Sequence, residues 1–159
     1  QLRNQGREDS GTFVHEALGM NFRMTDLQCG VGLAQFNKFK EIKEMKLKNY
    51  RLYQQILENI QEVVFLEEKD YTNFVPFRVN IKVQKLTQLL EHLEKNSIQT
   101  RRVFYPMHRQ PCFNDLNYKE NDFPVSNRAY DEGMSLPVFC NLKEEQIEYV
   151  CEKIKKFYN

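Results

Sequence analysis

Asn21 and Arg23 are the first residues whose types and position suggest chemistry. They lie in the stretch Gly19-Met-Asn-Phe-Arg-Met-Thr-Asp-Leu-Gln28, directly before a strong helix-start signal. Asn adopts positive φ more easily than most residues, and the guanidinium group of Arg offers a fork of donors to a phosphate or carboxylate. A loop-to-helix junction with both groups is suited to binding an anion. The alternative is that Asn21 shapes a turn and Arg23 is a solvated charge.

The helix that must position this junction is predicted to begin at Thr25. Thr25 and Gln28 form a capping-box pattern, in which each side chain accepts from the backbone amide of the other residue. Asp26 adds a negative charge in the first turn, where the helix dipole favours it. Gly30 and Gly32 cost roughly 1 kcal/mol each relative to Ala. Such small residues allow another backbone to approach closely, and we therefore expect a tightly packed, intersubunit helix here.

A second apolar stripe extends the helical pattern to residue 60, with basic residues on the opposite face. The phase of the apolar positions changes near Asn37 and Lys38, which predicts a kink or two consecutive helices. We interpret the stripe as core packing, and a calmodulin-target or membrane-surface helix is the alternative. Its members are Phe39, Ile42, Tyr50, Tyr53, Leu57 and Ile60.

The remaining sequence predicts an α+β domain. In the second predicted strand, Phe77, Val79 and Ile81 alternate onto one face. We expect an irregular arm over residues 1–24 and a domain over 25–159, with a long helix over 25–60 and the sheet and helices over 63–159. The predicted strands are Val63–Leu66, Phe74–Ile81 and Arg102–Tyr105, with a shorter extended piece at Leu136–Phe139; the predicted helices are Leu86–Leu93, Pro124–Met134 and Lys143–Tyr158.

Composition argues against several classes of function. The 159 residues carry a formal net charge of +1, which argues against nucleic-acid or membrane-surface binding through bulk charge. No apolar run approaches the ~20 residues of a membrane span, and no signal peptide is visible. Four cysteines lack any metal-ligand spacing, so we expect no metal site and reduced, mostly buried thiols in a cytoplasmic protein. These are Cys29, Cys112, Cys140 and Cys151.

Three separated motifs together resemble the DegT/DnrJ/EryC1/StrS sugar aminotransferases, in the right order over essentially the whole chain. The segment around Phe104–Gln110 is similar to the perosamine-synthase-like members. The resemblance implies the C-terminal small domain of a fold-type I (aspartate aminotransferase-like) pyridoxal phosphate transferase: a small antiparallel sheet packed with helices and preceded by a long helix. The motifs are Gly19–Gln28 with Gly32-Leu-Ala-Gln35, Arg102-Val-Phe-Tyr-Pro-Met-His108, and Phe123-Pro-Val-Ser126 with Ser135-Leu-Pro137.

The resemblance also implies roles for particular residues. Asn21 matches the Asn that reaches the cofactor phosphate of the neighbouring subunit in a homodimer, and Arg23 matches an Arg near the same shared site. His108 matches a His that lines the nucleotide-sugar pocket. Three further residues match positions that face the same pocket, with structural packing as an equal alternative: Tyr105, Arg102 and His15.

The implied reaction is transfer of an amino group from glutamate to a keto nucleotide sugar, with the 4-keto-6-deoxy type favoured, for cell-surface polysaccharide biosynthesis. The Schiff-base lysine of the family lies upstream of the position matching Gln1. We therefore expect a part of a longer enzyme that is inactive alone, has no catalytic residue of its own and does not hold pyridoxal 5'-phosphate covalently. A non-catalytic dimerisation or nucleotide-sugar-binding module is the first alternative, and a generic α+β interaction domain is the second.

Overall fold

The computed structural model describes residues 1–8 and 14–159, which form two compact units, residues 1–40 and 41–159. Part of the predicted arm, including Asp9 and Gly11, lies outside the described residues. The two units divide after Lys40. The boundary predicted after Met24, between an irregular arm and the C-terminal domain, stays a prediction.

In the first unit, the N-terminal segment lies alongside the residues that precede the first helix. Asn4 and Asn21 form an antiparallel bridge, and the Met20 amide donates to the Leu2 carbonyl at 2.8 Å. This pairing gives part of the arm a defined backbone arrangement that the sequence did not indicate.

Two glycines permit this close pairing. Gly6 has a φ of +80°, and a Cβ atom there would lie 1.7 Å from the carbonyl oxygen of Ala17. A Cβ atom at Gly19 would lie 2.1 Å from the backbone nitrogen of Gly6. Neither position has space for any side chain.

Helix α1 (Asp26–Asn37) begins with the predicted capping box, which is confirmed. The Gln28 amide donates to Thr25 Oγ1 at 3.3 Å, and the Thr25 amide donates to Gln28 Oε1 at 2.8 Å. Every residue of α1 is exposed, and nothing lies within 4 Å of the Cβ positions built at Gly30 and Gly32. None of the described residues of this chain therefore supplies the tight packing expected for this helix.

Helix α2 (Phe39–Leu57) follows after a single residue, which confirms the interruption predicted near Asn37 and Lys38. Tyr50, Tyr53 and Leu57 are buried, as the apolar stripe predicted. The core packing of α2 therefore comes from its C-terminal half.

The sheet has four antiparallel strands in the order β1-β2-β4-β3. Val63 of β1 pairs with Val83 of β2, and Val79 of β2 pairs with Leu136 of β4. The small antiparallel sheet packed with helices agrees with the predicted fold class. The strands are β1 (Val63–Phe65), β2 (Val79–Val83), β3 (Arg101–Arg102) and β4 (Gly133–Leu136).

Three strands differ from their predictions by more than one residue. Strand β3 is Arg101–Arg102 instead of the predicted Arg102–Tyr105. Strand β2 begins at Val79, so the prediction that Phe77 shares its buried face is wrong: Phe77 precedes the strand and is 75% exposed. Strand β4 was predicted as the end of a helix followed by an extended piece at Leu136–Phe139. Strand β4 has four residues, all buried, and this length is at the lower limit of the roughly 4–8 residues over which alternation identifies a strand.

Helices α3 and α5 pack against each other, while α4 contacts β2 and β4. Helix α5 packs one face against the core, because Ile147, Val150, Cys151 and Ile154 are buried. Three 3-10 turns connect β3 to α4. The helices are α3 (Leu86–Lys95), α4 (Pro124–Glu132) and α5 (Glu144–Tyr158), and the turns are Met107–Arg109, Pro111–Leu116 and Glu120–Asp122.

The four cysteines are free, but only Cys151 is buried; Cys29 and Cys112 are exposed and Cys140 is half-buried. The expectation of mostly buried thiols is wrong, and for Cys29 the cause is the exposure of α1 on all sides. Among residues 1–8 and 14–159, no three or more His, Cys, Asp or Glu side chains are grouped so as to hold a metal ion. No helix within these residues has the length and apolarity needed to cross a membrane.

Candidate functional site

His108 is held against helix α4 by a polar and an aromatic contact. Its Nε2 atom lies 2.9 Å from Oδ1 of Asn127, a buried residue of α4. Its ring lies over Phe123 with 4.7 Å between ring centroids. Because an amide oxygen only accepts hydrogen bonds, Nε2 donates here, and in the neutral imidazole Nδ1 is then the accepting nitrogen. The contact therefore gives the ring a defined orientation and favours one neutral tautomer.

Tyr105 and Arg102 also contact α4, through Tyr130. The rings of Tyr105 and Tyr130 meet edge to face at 5.1 Å, and the Arg102 guanidinium lies 5.5 Å from the Tyr130 ring centroid. Arg102 Nη2 also donates to Thr87 Oγ1 of α3 at 2.6 Å. His108, Tyr105 and Arg102 thus all contact the same helix, α4. The contacts of Arg102 fit the packing role that the sequence left open.

In the first unit, Asn21, Arg23 and His15 are each connected to the N-terminal segment. Asn21 forms the bridge with Asn4, whose Oδ1 accepts from Arg23 Nη1 at 3.3 Å. His15 Nδ1 lies 2.6 Å from the carbonyl oxygen of Gln5. A carbonyl oxygen only accepts, so Nδ1 donates and Nε2 is the accepting nitrogen. The side chains of Asn21 and Arg23 are exposed, so both can donate to a phosphate.

A cleft of about 600 Å³ in the second unit is lined by Arg78 and Arg101. Neither arginine is among the six predicted site residues, and none of those six lines this cleft. The one feature of the sequence that could have pointed to Arg101 was its position next to Arg102. Consecutive strand residues point to opposite faces, so an assignment to Arg102 does not extend to Arg101.

The ionisable groups with raised pKa values lie away from these contacts, in or beside the core. Burial raises the pKa of the Cys151 thiol to about 12, and burial, followed by the charge of Glu62, raises the pKa of Tyr158 to about 12. A protonated buried thiol is a poor nucleophile. Cys151 is therefore a packing residue, in agreement with its predicted role.

A family model described as the DegT/DnrJ/EryC1/StrS aminotransferase family matches residues 1–155. A pleiotropic regulatory protein of Geobacillus stearothermophilus is 35% identical over 150 residues, 92% of this chain and 40% of that protein. The GDP-perosamine synthase of Escherichia coli O157:H7 is 29% identical over 160 residues, 99% of this chain and 43% of that protein. The chain therefore spans about two fifths of the length of these curated relatives.

Solved structures confirm the predicted fold class. The crystal structure of S. venezuelae DesV matches 99% of this chain with a TM-score of 0.91 at 19% identity, over 42% of the DesV chain. A DegT DnrJ EryC1 StrS aminotransferase from Brucella abortus matches with a TM-score of 0.86 at 19% identity, over 99% of this chain and 42% of that one. The fold is that of the C-terminal small domain of fold-type I transferases.

Proposed function

The chain belongs to the DegT/DnrJ/EryC1/StrS aminotransferase family, and from this we propose that it is the C-terminal part of a pyridoxal-phosphate-dependent sugar aminotransferase. The enzyme would transfer an amino group from glutamate to a keto nucleotide sugar of the 4-keto-6-deoxy type, in cytoplasmic biosynthesis of cell-surface polysaccharide. The family match over residues 1–155 carries the proposal. The relatives named as GDP-perosamine synthases support the choice of sugar.

Asn21 and Arg23 fit the phosphate of pyridoxal phosphate. An amide donates without adding a titrating charge, and a guanidinium group forms charge-assisted hydrogen bonds. The single bond of Arg23 to Asn4 leaves further N–H donors of its guanidinium for an anion. When bound, the cofactor supplies an electron sink for amino-group transfer. We place these two donors at the cofactor phosphate of a neighbouring subunit in a homodimer.

This chain would supply hydrogen-bond donors to the cofactor phosphate but no lysine for covalent attachment of the cofactor. We infer from the family resemblance that the Schiff-base lysine lies outside this sequence. Lys38 and Lys40 lie on the exposed side of the helical segment, and Lys43 is hydrogen-bonded to Asn73. The proposal therefore includes that the chain alone is inactive.

His108 would orient the sugar of the substrate. Asn127 holds Nε2, so Nδ1 can accept a hydrogen bond from a sugar hydroxyl group. Tyr105 is 43% exposed and, like His108, contacts α4, so we propose that its hydroxyl group also contacts the sugar. For His15, the proposed contact with the substrate rests on the family resemblance alone. Arg102 would position the strand rather than bind the substrate.

The direct test compares the isolated chain with the whole protein of which it is part. Both are mixed with pyridoxal phosphate, and the lysine-bound absorbance band and its loss on borohydride reduction are recorded. Both are then assayed with glutamate and a panel of 3-keto and 4-keto nucleotide sugars. We expect the band and turnover only in the whole protein. A reducible band or turnover in the isolated chain would contradict the proposal.

A non-catalytic module is the second candidate, because a relative with 35% identity carries the name pleiotropic regulatory protein. Such a module would dimerise or bind nucleotide sugars without transferring an amino group. The whole protein separates the two candidates: binding of a nucleotide sugar without turnover in any combination of donor and acceptor favours the module.

A further inference from the structure

We propose that the cleft lined by Arg78 and Arg101 binds the diphosphate group of a nucleoside diphosphate. The inference rests on the proposed function, because it assigns a place to the anionic half of the nucleotide sugar. The cleft has a volume of about 600 Å³, which lies in the range of small-molecule sites. It is bordered by residues 97–101 between α3 and β3, residues 135–139 of β4 and beyond, and the start of α5.

The charge of the cleft favours an anion. Arg78 and Arg101 line it together with one carboxylate, that of Glu145. Among residues 1–8 and 14–159, no carboxylate forms an ion pair with either guanidinium group within 4.0 Å. Unpaired arginines in a cleft can form bidentate, charge-assisted hydrogen bonds to phosphate.

Arg78 is already positioned by aromatic contacts. Its guanidinium carbon lies 5.0 Å from the ring centroid of Phe104 and 5.6 Å from that of Phe77. Cation–π contacts restrain the side chain while the N–H groups at the edge of the guanidinium plane stay available. Less rotamer entropy is then lost when an anion binds.

The other lining residues suit a nucleoside rather than a bare phosphate. Phe139 is 50% exposed and Tyr149 is 42% exposed, and both line the cleft beside Phe77. Exposed aromatic rings offer faces on which a base can stack. Ser97 and Thr100 add hydroxyl groups to the same lining. Two arginines beside aromatic rings match a molecule that carries two phosphates and a flat base.

The cleft is connected through the chain to the region proposed for the sugar. Phe104 contacts Arg78, and it directly precedes Tyr105 in the segment that leads to His108. Arg101 lies on β3 at the start of the same segment. One continuous stretch, residues 101–108, thus carries the proposed diphosphate contact and the proposed sugar contact.

The test measures binding of GDP, UDP, dTDP and inorganic pyrophosphate to the 159-residue chain by calorimetry. We expect at least one nucleoside diphosphate to bind more tightly than pyrophosphate. Arg78→Gln and Arg101→Gln should each weaken that binding at least about tenfold, because each removes a hydrogen bond to a charged group. Arg128→Gln is the matched control, since Arg128 is exposed on α4 and does not line the cleft.

Amide chemical shifts of the unmodified chain provide a second measurement that does not depend on the variants. Addition of the nucleotide should shift Thr100, Gln146 and Tyr149. Shifts centred on His108 and α4, equal binding of pyrophosphate, no nucleotide binding, or unchanged affinity in both Arg variants would each overturn the inference.

The whole-protein assay separates this inference from the proposed function. Turnover of a nucleotide sugar with an unchanged KM in both Arg variants would remove the cleft assignment and leave the aminotransferase. Nucleotide binding at the cleft without turnover in the whole protein would support the cleft and remove the aminotransferase.

Discussion

Nε2 of His108 donates to Oδ1 of Asn127 across 2.9 Å, and this contact determines which imidazole nitrogen can accept from a ligand. The Asn is buried on α4, so the orientation of the His depends on a helix that follows it in the chain. The first prediction tests this dependence.

Asn127→Ala should remove the single His108 tautomer and lower the free energy of unfolding by about 1–2 kcal/mol, because a buried hydrogen bond is lost. Long-range proton–nitrogen NMR spectra report the protonated nitrogen, and urea unfolding reports stability. Asn141→Ala is the control, since Asn141 is exposed. An unchanged tautomer in Asn127→Ala would show that Asn127 does not orient the ring.

Gly19→Ala should break the pairing between the N-terminal segment and the residues before α1. The new Cβ atom would lie 2.1 Å from the Gly6 nitrogen, so the backbone must move. Faster hydrogen exchange of the Met20 amide would report the change. Gly30→Ala provides a matched control, because its Cβ atom meets nothing within 4 Å. Equal exchange of the Met20 amide in the two variants would count against the pairing.

Thr25→Ala should weaken α1 locally by about 1 kcal/mol, because the N-cap hydroxyl acceptor is lost. Since α1 buries no residue, we expect faster amide exchange in its first turn without a change in the unfolding of residues 41–159. Thr25→Ser retains the acceptor and should behave like the unmodified chain. If the alanine variant lowers global stability, the helix has packing partners.

The apolar side chains of α1 should drive self-association of the isolated chain, because large exposed apolar surfaces favour association. Leu27 is 79% exposed and Phe36 is 74% exposed. Light scattering after size-exclusion chromatography should give a mass that rises with concentration and falls in Leu27→Glu. Tyr71→Glu, at a site that is 87% exposed outside α1, is the control. A concentration-independent monomer would contradict the prediction.

Stability should fall in alkali because of Cys151. Burial raises the pKa of its thiol from 9.0 to about 12. Above a pH of 9.0 the Cys151 thiol of the unfolded chain loses its proton, whereas that of the folded chain keeps it. The contribution of Cys151 to the free energy of unfolding is therefore complete below this pH and is lost as the pH rises. We expect a loss of about 1 kcal/mol between about pH 8 and about pH 10.

The matched variant for this prediction is Cys151→Ala, which has no thiol at the buried site. Its overall stability should be lower, because a core position loses an atom. The difference in unfolding free energy between the two pH values should nevertheless be smaller than in the unmodified chain. An equal difference would place the alkaline sensitivity elsewhere, for example at Tyr158, whose pKa is also raised to about 12.

Features that depend on neighbouring residues could be predicted from the sequence. The capping box of Thr25 and Gln28 and the inward face of α5 follow from local spacing. The break between α1 and α2 follows from a change in apolar phase. Each of these patterns is contained within a few helical turns, so no distant part of the chain is needed to identify it.

Features that depend on distant partners could not be predicted. Strand β4 has four residues that are all buried, and its pairing with β2 and β3 joins segments that are far apart in the chain. The cleft around Arg78 and Arg101 combines segments that are far apart in the chain. The sequence did not indicate on which face of the sheet Arg101 lies, because that face is defined only by the pairing of β3 with β4.

The strand order has a consequence for synthesis of the chain on the ribosome. Within the described residues, β3 pairs with β4 alone, and β4 lies between β2 and β3 although it is the last of these four strands to be translated. Until residues 133–136 emerge, β2 has one open edge and β3 has no partner. An open edge is a template for pairing with another chain. The nascent chain is therefore most vulnerable to aggregation just before residues 133–136 emerge.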